Sequence, residues 1–360
     1  MSAATSFHAL RLQTVRREAA DALVLGFELP SALRDTFHFE PGQHLTLRAL
    51  VEGHELRRSY SICAAPDEPL RVGVRQVAGG AFSTWLFAHA QPGMCIDVMP
   101  PSGRFGAALA ARPRHVLAVA GGSGITPLLS ILKTALARDA QARCTLLYGN
   151  RSAASTMFKE ELEDLKNRHL SRLALHMVFS REAVDSPMHG GRLDAAKIAT
   201  LLRMCGAVDQ AYVCGPHAMN DEVEAALLAA GLPAQHIHVE RFGVPPTGAS
   251  TAASPPAAPP SDVATAHARI VRIVRDGVAR EVAFGADDTS VLAAATRAGM
   301  ELPFSCASGV CATCRARVLE GEVRMRRNFA LEAAEVAAGF VLACQAYPVS
   351  ERVLLSFDER

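Results

Sequence analysis

One stretch, Cys306-Ala307-Ser308-Gly309-Val310-Cys311-Ala312-Thr313-Cys314, sets three thiols in a C-x4-C-x2-C run, with a fourth far downstream at Cys344. Four thiolates in that spacing can hold two irons bridged by sulfide. The side chains between them are small, so the loop can wrap tightly and turn backbone N–H groups toward the sulfurs of an anionic cluster. Gly309 can take a positive φ that a larger residue resists. Structural zinc usually recruits C-x2-C pairs, and Cys306 and Cys344 have no such neighbour. A disulfide framework suits short secreted chains, whereas this chain has 360 residues and begins without the apolar core of a secretory signal. The other cysteines (Cys63, Cys95, Cys144, Cys205, Cys214) are scattered, and four of them read as small apolar residues.

Two further groups of residues could serve electron delivery to that site. Arg58-Ser59-Tyr60-Ser61 offers a cation for phosphates, an aromatic face on which a flavin could stack, and a hydroxyl for its reactive nitrogen. On a strand, Arg58 and Tyr60 share one face. Gly80-Ala81-Phe82-Ser83 then leads into a short helix whose N-terminus could receive a pyrophosphate. Further on, Gly121-Gly122-Ser123-Gly124-Ile125-Thr126-Pro127 follows an apolar run and opens a helix, an arrangement that favours an anionic dinucleotide. It is not the G-x-G-x-x-G fingerprint, so the dinucleotide-fold rules transfer in outline only. Cys214-Gly215-Pro216 ends a later apolar run and would lie on the same sheet edge; taken alone it reads as a strand-ending turn with a buried cysteine.

The elements that must position these residues fall into blocks. Up to about Phe105 strand signals dominate: Leu23, Leu25, Phe27 and Leu29 alternate with other residues, as do Leu45 with Leu47 and Val72 with Val74. One short helix is expected from Ser83 through Ala90. That pattern predicts a small antiparallel barrel over residues 1–109. From about Arg112, strands at Val116–Ala120, Thr145–Tyr148, Leu175–Phe179, Ala211–Cys214 and Ile237–Val239 alternate with helices near Pro127–Ala137, Ser155–Asn167, Asp194–Met204 and Ala218–Ala230. This predicts a parallel doubly wound α/β domain over 110–243, with ligands at the carboxyl ends of its strands. Residues 244–266 hold six prolines, seven alanines and no aromatic residue, the composition of an extended linker. Beyond it, runs on either side of Asp276-Gly277 read as a hairpin. Asp287-Asp288 is expected to open a helix over Val291–Ala298, which completes a compact third domain over 267–360.

Bulk composition narrows the class. Hydrophobic residues make up 49%, charged residues 20%, and the net charge is +1. That balance gives no reason to expect nucleic acid or a membrane as partner, and the cysteine usage suits the reducing cytoplasm. The thirteen histidines show no paired metal spacing, and the charged run Lys159–Arg168 reads as the solvated side of a helix.

Taken in order, Arg58–Ser61, Gly80–Ser83, Gly121–Pro127 and Cys214–Pro216 resemble the ferredoxin–NADP reductase superfamily. With the four-cysteine domain added, the chain is similar to the reductase components of multicomponent oxygenases. More narrowly, Pro41–His44, Arg57–Cys63, Val98–Phe105, Tyr148–Arg151, Thr156–Lys166 and Asn328–Pro348 resemble the reductase subunits that serve phenylacetyl-CoA epoxidases. The resemblance implies an FAD-binding β-barrel, an α/β parallel-sheet NAD(P) domain, an α+β β-grasp ferredoxin domain, and a diiron oxygenase as electron acceptor. It implies FAD contacts at Arg58, Tyr60, Ser61, Arg75, Gly80 and Ser83. Coenzyme contacts are implied at Gly121, Gly122, Gly124, Thr126 and Pro127, with Cys214, Gly215 and Pro216 by the nicotinamide. Glu240-Arg241-Phe242 matches an ending often placed near the flavin, so Ser61, Cys214 and Glu240 are the catalytic candidates. Cys306, Cys311, Cys314 and Cys344 are the iron ligands. Ala307 departs from the basic residue, and Ala312 from the glycine, that such loops often carry; neither change removes a ligand. No carboxylate follows Tyr148-Gly149, whereas Arg151 and Ser180-Arg181 could meet a 2′-phosphate, so NADPH is expected over NADH. A cluster that only senses redox state, or a stand-alone reductase of small molecules, are the rival readings.

Replacing Cys311 or Cys314 by Ser should abolish NADPH-driven reduction of cytochrome-type acceptors and leave flavin reduction nearly intact. Variants that kept both the iron–sulfur absorbance and full electron transfer would overturn the ligand assignment.

Overall fold

The computed structural model describes residues 6–243 and 269–359. The segment read as a linker, 244–266, lies outside the described residues. Residues 6–242 form one compact unit, and the four-cysteine segment belongs to a second. Among the described residues no helix is long and apolar enough to cross a membrane.

The first unit begins with a six-stranded sheet: β1 (His8–Ala19), β2 (Ala22–Glu28), β3 (His44–Val51), β4 (His54–Ser61), β5 (Arg71–Arg75) and β6 (Cys95–Ser102). Its strand order is β4-β3-β6-β1-β2-β5, every pair antiparallel, and a bridge between Ile62 and Val72 draws the ends of β4 and β5 together. The sheet thus curls into the expected barrel. Alternation decides which residues fill it: Leu10, Leu12, Leu25, Leu45, Leu47, Val72 and Val74 are all buried inside. Helix α1 runs Ala81–His89, two residues ahead of the expected start at Ser83. Gly80 takes the N-cap position, and Ser83 instead turns its hydroxyl back to accept from Val77 N–H at 3.0 Å.

The same unit continues into five parallel strands, β7 (His115–Gly121), β8 (Arg143–Asn150), β9 (Leu173–Phe179), β10 (Gln210–Gly215) and β11 (Ile237–Arg241), ordered β11-β10-β7-β8-β9. They alternate with α2 (Ile125–Arg138), α3 (Lys159–Arg168), α4 (Ala195–Cys205) and α5 (His217–Ala229). Helix α3 starts four residues later than the pattern suggested. Phe158 stands at φ 58°, and a bulky residue in the left-handed region cannot continue a helix. Helix α2 is buried all round from Ile125 through Leu136 because it is packed on both sides. Its leucines share one core with Ala22, Val24 and Cys63 of the barrel and with Val116, Leu146 and Tyr148 of the parallel sheet.

Charges cross that seam as well. Lys133 of α2 lies with Nζ 2.6 and 2.7 Å from the two Glu68 carboxylate oxygens, and it also pairs with Glu161 of α3. Arg71 of β5 donates to both oxygens of Glu161, Nη1 at 3.1 Å. The run read as a solvated helix face therefore holds, beside the buried Leu162 and Leu165, a carboxylate, Glu161, that is only 19% exposed. Burial by itself would raise the Glu161 carboxyl, but hydrogen bonds from Arg71 and Lys133 outweigh it, and the group titrates below the usual range. Burial pushes the neighbouring Cys63 thiol up to about 12.

In the second unit β12 (Arg269–Arg275) and β13 (Val278–Phe284) form the expected hairpin, with Asp276 and Gly277 at φ 54° and 72°. Helix α6 (Val291–Arg297) is capped by Ser290, whose Oγ accepts from Ala293 N–H, and not by Asp287-Asp288. Asp288 is committed elsewhere, accepting from Gly285 N–H and pairing with Arg297. The chain closes with β14 (Arg315–Glu320), β15 (Val323–Met325), α7 (Ala333–Ala337), β16 (Phe340–Leu342), β17 (Ala346–Pro348) and β18 (Arg352–Ser356). Strand β18 inserts parallel to β12 in a sheet ordered β13-β12-β18-β14-β16, while β15 and β17 pair separately. That mixed sheet around α6 is the β-grasp arrangement.

A carboxyl whose folded pKa is depressed adds stability above its ordinary value of 4.5, and that stability is lost as pH falls through the lower folded value. Glu161→Gln should therefore cost on the order of 1–3 kcal/mol at pH 7, between the limits for exposed and buried ion pairs. The deficit should shrink in acid, where the parent carboxyl also becomes neutral. Urea unfolding at the two pH values checks this, and an equal deficit at both would remove the charge explanation.

Candidate functional site

Strand order reverses between β7 and β10, the switch point at whose carboxyl strand ends a parallel sheet of this kind receives its ligands. Gly121 ends β7, the turn Gly122–Gly124 follows, and α2 starts at Ile125. A Cβ on Gly124 would sit 1.9 Å from the Cys214 carbonyl oxygen, and one on Gly215 would sit 3.0 Å from Gly121 Cα. A Cβ on Gly121 would meet Pro216 Cδ at 2.6 Å. The two motifs are thus pressed together backbone to backbone, which only glycine permits. Tyr148 is fully buried and donates from its hydroxyl to the Gly122 carbonyl at 2.9 Å, a contact that no local sequence signal announced. Thr126 Oγ1 donates to Ser123 O at 3.0 Å, and Pro127 lies within the first turn of α2, where a missing N–H costs little.

Cys214 is fully buried; burial first, and then the nearby Glu240, push its thiol well above the usual range. Glu240 stands opposite Cys214 in the β10–β11 register. Burial pushes its carboxyl up to about 8, and Oε2 is buried without a hydrogen-bond partner among the described residues. That shift favours the protonated form of Glu240 at neutral pH. Asn220 of α5, buried and offering no sequence signal beyond a polar residue in a helix, donates from Nδ2 to the Glu240 carbonyl at 3.1 Å. Phe242, just beyond β11, is 37% exposed.

On the barrel, β4 delivers Arg58 exposed, Tyr60 half-buried and Ser61 buried. The Arg58 guanidinium makes one local hydrogen bond, to Arg57 O at 2.7 Å. Tyr60 leans on Phe82 of α1 with ring centroids 6.2 Å apart, so the strand and the start of the helix meet. No side chain caps α1. A cation, an aromatic ring, a buried hydroxyl and an uncapped helix N-terminus suit a flavin with its pyrophosphate. Arg75 also makes contacts within the chain. Its Nη2 donates to Ser155 O at 2.5 Å, its Nε lies 3.5 Å from Asp21 Oδ1, and its Nη1 is 2.9 Å from where a Gly122 Cβ would stand. Arg75 thus ties the barrel to the loop after β8.

The arginines beyond β8 and β9 are brought together by Arg181 N–H donating to Arg151 O at 2.8 Å, and Ser180 N–H donates to Asn150 O at 2.9 Å. Arg151 Nη2 is held 2.7 Å from Asp21 Oδ2, while Arg181 is exposed. No local sequence signal marks Glu18, near the end of β1, or Asp21, in the polar turn that follows it. Glu18 Oε1 accepts from Phe158 N–H at 2.7 Å, so the barrel grips the loop after β8.

In the second unit the four cysteines converge. Cys306 N–H lies 3.5 Å from Cys311 Sγ. The thiols interact closely enough that Cys311 first, and then Cys344, hold the Cys306 thiol far below its ordinary range while that of Cys311 is raised. Backbone N–H groups of Ser308 and Val310 point at Cys306 Sγ, each 3.4 Å away, and Gln345 Nε2 lies 3.6 Å from Cys344 Sγ. Among the described residues no three His, Cys, Asp or Glu side chains form a single-ion site. A binuclear cluster needs two thiolates on each iron, which this donor set and its ring of N–H donors fit. The loop reaches this shape through positive φ at Ala307, Gly309 and Ala312, at 51°, 83° and 52°.

Comparison with known proteins follows the same order along the chain. Residues 9–106 match the oxidoreductase FAD-binding domain, 118–225 the oxidoreductase NAD-binding domain, and 273–349 the 2Fe-2S iron-sulfur cluster binding domain. The chain is 42% identical to one of the subunits of the 1,2-phenylacetyl-CoA epoxidase of Escherichia coli K12, over 99% of both chains. It is 32% identical to the ferredoxin reductase component of 3-ketosteroid-9-alpha-monooxygenase from Rhodococcus rhodochrous, over 97% of this chain and 96% of that one. Its fold is that of phthalate dioxygenase reductase, with a TM-score of 0.58 at 23% identity, covering 98% of each chain. With FAD-, NAD- and 2Fe–2S-binding domains on one polypeptide and relatives matched nearly end to end, the chain belongs to the family of ferredoxin-reductase components of oxygenase systems.

Proposed function

We propose that this reductase draws electrons from NADPH and supplies the diiron oxygenase that epoxidises the ring of phenylacetyl-CoA. The observation that carries this is the 42% identity with a phenylacetyl-CoA epoxidase subunit over 99% of the chain. An FAD held on the barrel would supply the link between a hydride donor and a one-electron carrier, and a 2Fe–2S cluster held by Cys306, Cys311, Cys314 and Cys344 would be that carrier.

In this reading the protein positions and shields. Arg58 meets the flavin phosphates with the α1 N-terminus at Gly80, while Ser83 keeps the preceding turn closed and Tyr60 provides the stacking face. Ser61 offers its hydroxyl to the flavin ring. Gly121, Gly122, Gly124, Thr126 and Pro127 receive the coenzyme, and Cys214, Gly215 and Pro216 wall its nicotinamide. Glu240, in the protonated form that its burial favours, can donate a hydrogen bond without placing a negative charge beside the hydride path. Phe242 covers the outer edge. Cys306, Cys311, Cys314 and Cys344 ligate the irons.

For the coenzyme, Arg181 is the stronger witness, since Asp21 already engages Arg151. A 2′-phosphate reaching the paired ends of β8 and β9 would find the exposed Arg181 guanidinium and the Ser180 hydroxyl.

Arg181→Ala should raise KM for NADPH roughly tenfold, the loss of about 1.4 kcal/mol expected for one charge-assisted contact, and leave NADH nearly unchanged. Equal weakening of both coenzymes, or NADH as the better substrate of the unmodified enzyme, would overturn the NADPH reading. The oxygenase assignment is tested by reconstitution with purified oxygenase components, NADPH and oxygen, using phenylacetyl-CoA and other aromatic substrates. Coupled turnover only with a different oxygenase would sink it.

A further inference from the structure

The cluster loop is electrically blank. From Leu302 through Cys314 there is not one charged residue. Its charge must come from neighbours, and the fold supplies one set. Strand β15 pairs with β17, which sets Arg324 opposite Tyr347, and the chain then runs on through Arg326 and Arg327 along the loop. Arg326 N–H donates to the carbonyl of Gln345, the residue after Cys344, at 3.0 Å. Arg327 O lies 3.3 Å from where a Gly309 Cβ would stand, and Phe329 N–H donates to Gly309 O at 3.0 Å. The basic stretch is therefore stitched to the loop at two points.

Both arginines are exposed. Neither forms an ion pair among the described residues, although Arg326 lies over the Tyr347 ring at 6.0 Å. Glu322 pairs with Arg324 at 3.3 Å, and Glu335 pairs with Arg315 at 3.0 Å. Two positive charges are left over beside the thiols. On the ligand side, Cys306 and Cys311 are only half-buried whereas Cys314 and Cys344 are buried, so the Cys306–Cys311 edge is the one a partner can approach. Gly309, gripped by Arg327 and Phe329, lies between those two cysteines in sequence.

We propose that Arg326 and Arg327 form the docking rim through which the cluster meets its electron acceptor, and that the acceptor presents an acidic face there. The proposal rests on the reading of the cluster as the point of electron exit. Complementary charge at such a rim speeds encounter and orients the acceptor over the exposed edge, an effect that weakens as salt screens it.

The test uses the full-length holoprotein with two haem proteins of opposite charge, acidic cytochrome b5 and basic cytochrome c, under NADPH across a range of ionic strength. The unmodified protein should reduce cytochrome b5 faster at low salt and lose that advantage as salt rises, with the opposite trend for cytochrome c. Arg326→Gln/Arg327→Gln should slow cytochrome b5 reduction at least fivefold at low salt, speed cytochrome c reduction, and flatten both salt profiles. NADPH-driven reduction of the cluster itself should be unchanged in stopped flow. Identical salt profiles in the variant would overturn the rim. So would equal changes toward both acceptors accompanied by a shifted cluster potential, because the arginines would then act on the cluster and not on its partner. If Cys311→Ser also left cytochrome reduction intact, the electron-exit reading itself would fail, a result distinguishable from a silent arginine pair.

Discussion

Four charges at the seam between barrel and parallel sheet, Lys133 and Arg71 against Glu68 and Glu161, constrain everything built on the first unit. Lys133 sits in mid-helix on α2, and the glycine turn lies at that helix's start. Nine residues of helix separate them, about 14 Å at the rise of an α-helix. Fixing the lysine on the barrel therefore fixes the glycine turn against the barrel as well. Arg75 and Asp21 add a second clamp on the loop after β8, on the side of the glycine turn. Hydride transfer demands reacting atoms held at near-contact distance, and a seam that slid by an ångström would forfeit much of the rate. Charged groups suit this better than a purely apolar seam, because their partners are directional while apolar burial is not.

At the switch point the limiting quantity is room. Gly124 lies against the Cys214 carbonyl so closely that no side chain fits, and Gly121 is walled by Pro216 and Met219. Such contacts leave backbone and small side chains as the surface facing a ligand, which allows a flat ring to approach closely. On the neighbouring strand, burial raises the Glu240 carboxyl to about 8.

The cluster loop depends on a different constraint. Ala307 and Ala312 both adopt left-handed backbone, at about 1–2 kcal/mol each for a residue bearing a Cβ. The strain is offset by what the shape achieves, namely thiols brought into contact and N–H groups of Ser308 and Val310 turned onto sulfur. Strained backbone held by its surroundings is what a metal-binding loop requires. Gln345 helps to hold it, donating to Ala307 O at 3.1 Å.

Patterns that depend on neighbours in sequence were legible in this chain. Alternating Leu23, Leu25 and Phe27 gave a strand, Asp276-Gly277 gave a hairpin turn, and the cysteine spacing indicated a cluster, because period and local backbone preference are written within a few residues. The glycine run and Cys214–Pro216 could be matched through the rule that parallel strands gather their carboxyl ends. Boundaries slipped where one local signal was outvoted by another: Ser83 and Asp288 look like helix caps, yet Val77 N–H and the Arg297 guanidinium, six and nine residues away, took their side chains. What only the fold decided were meetings between distant polar residues. Nothing near Glu161 reveals that it faces Arg71 ninety residues earlier, nor does the turn at Asp21 announce Arg151. Such pairs carry no period and no propensity. They exist because packing α2 and α3 against the barrel removes water from particular charges, and a charge that loses its water must find a partner.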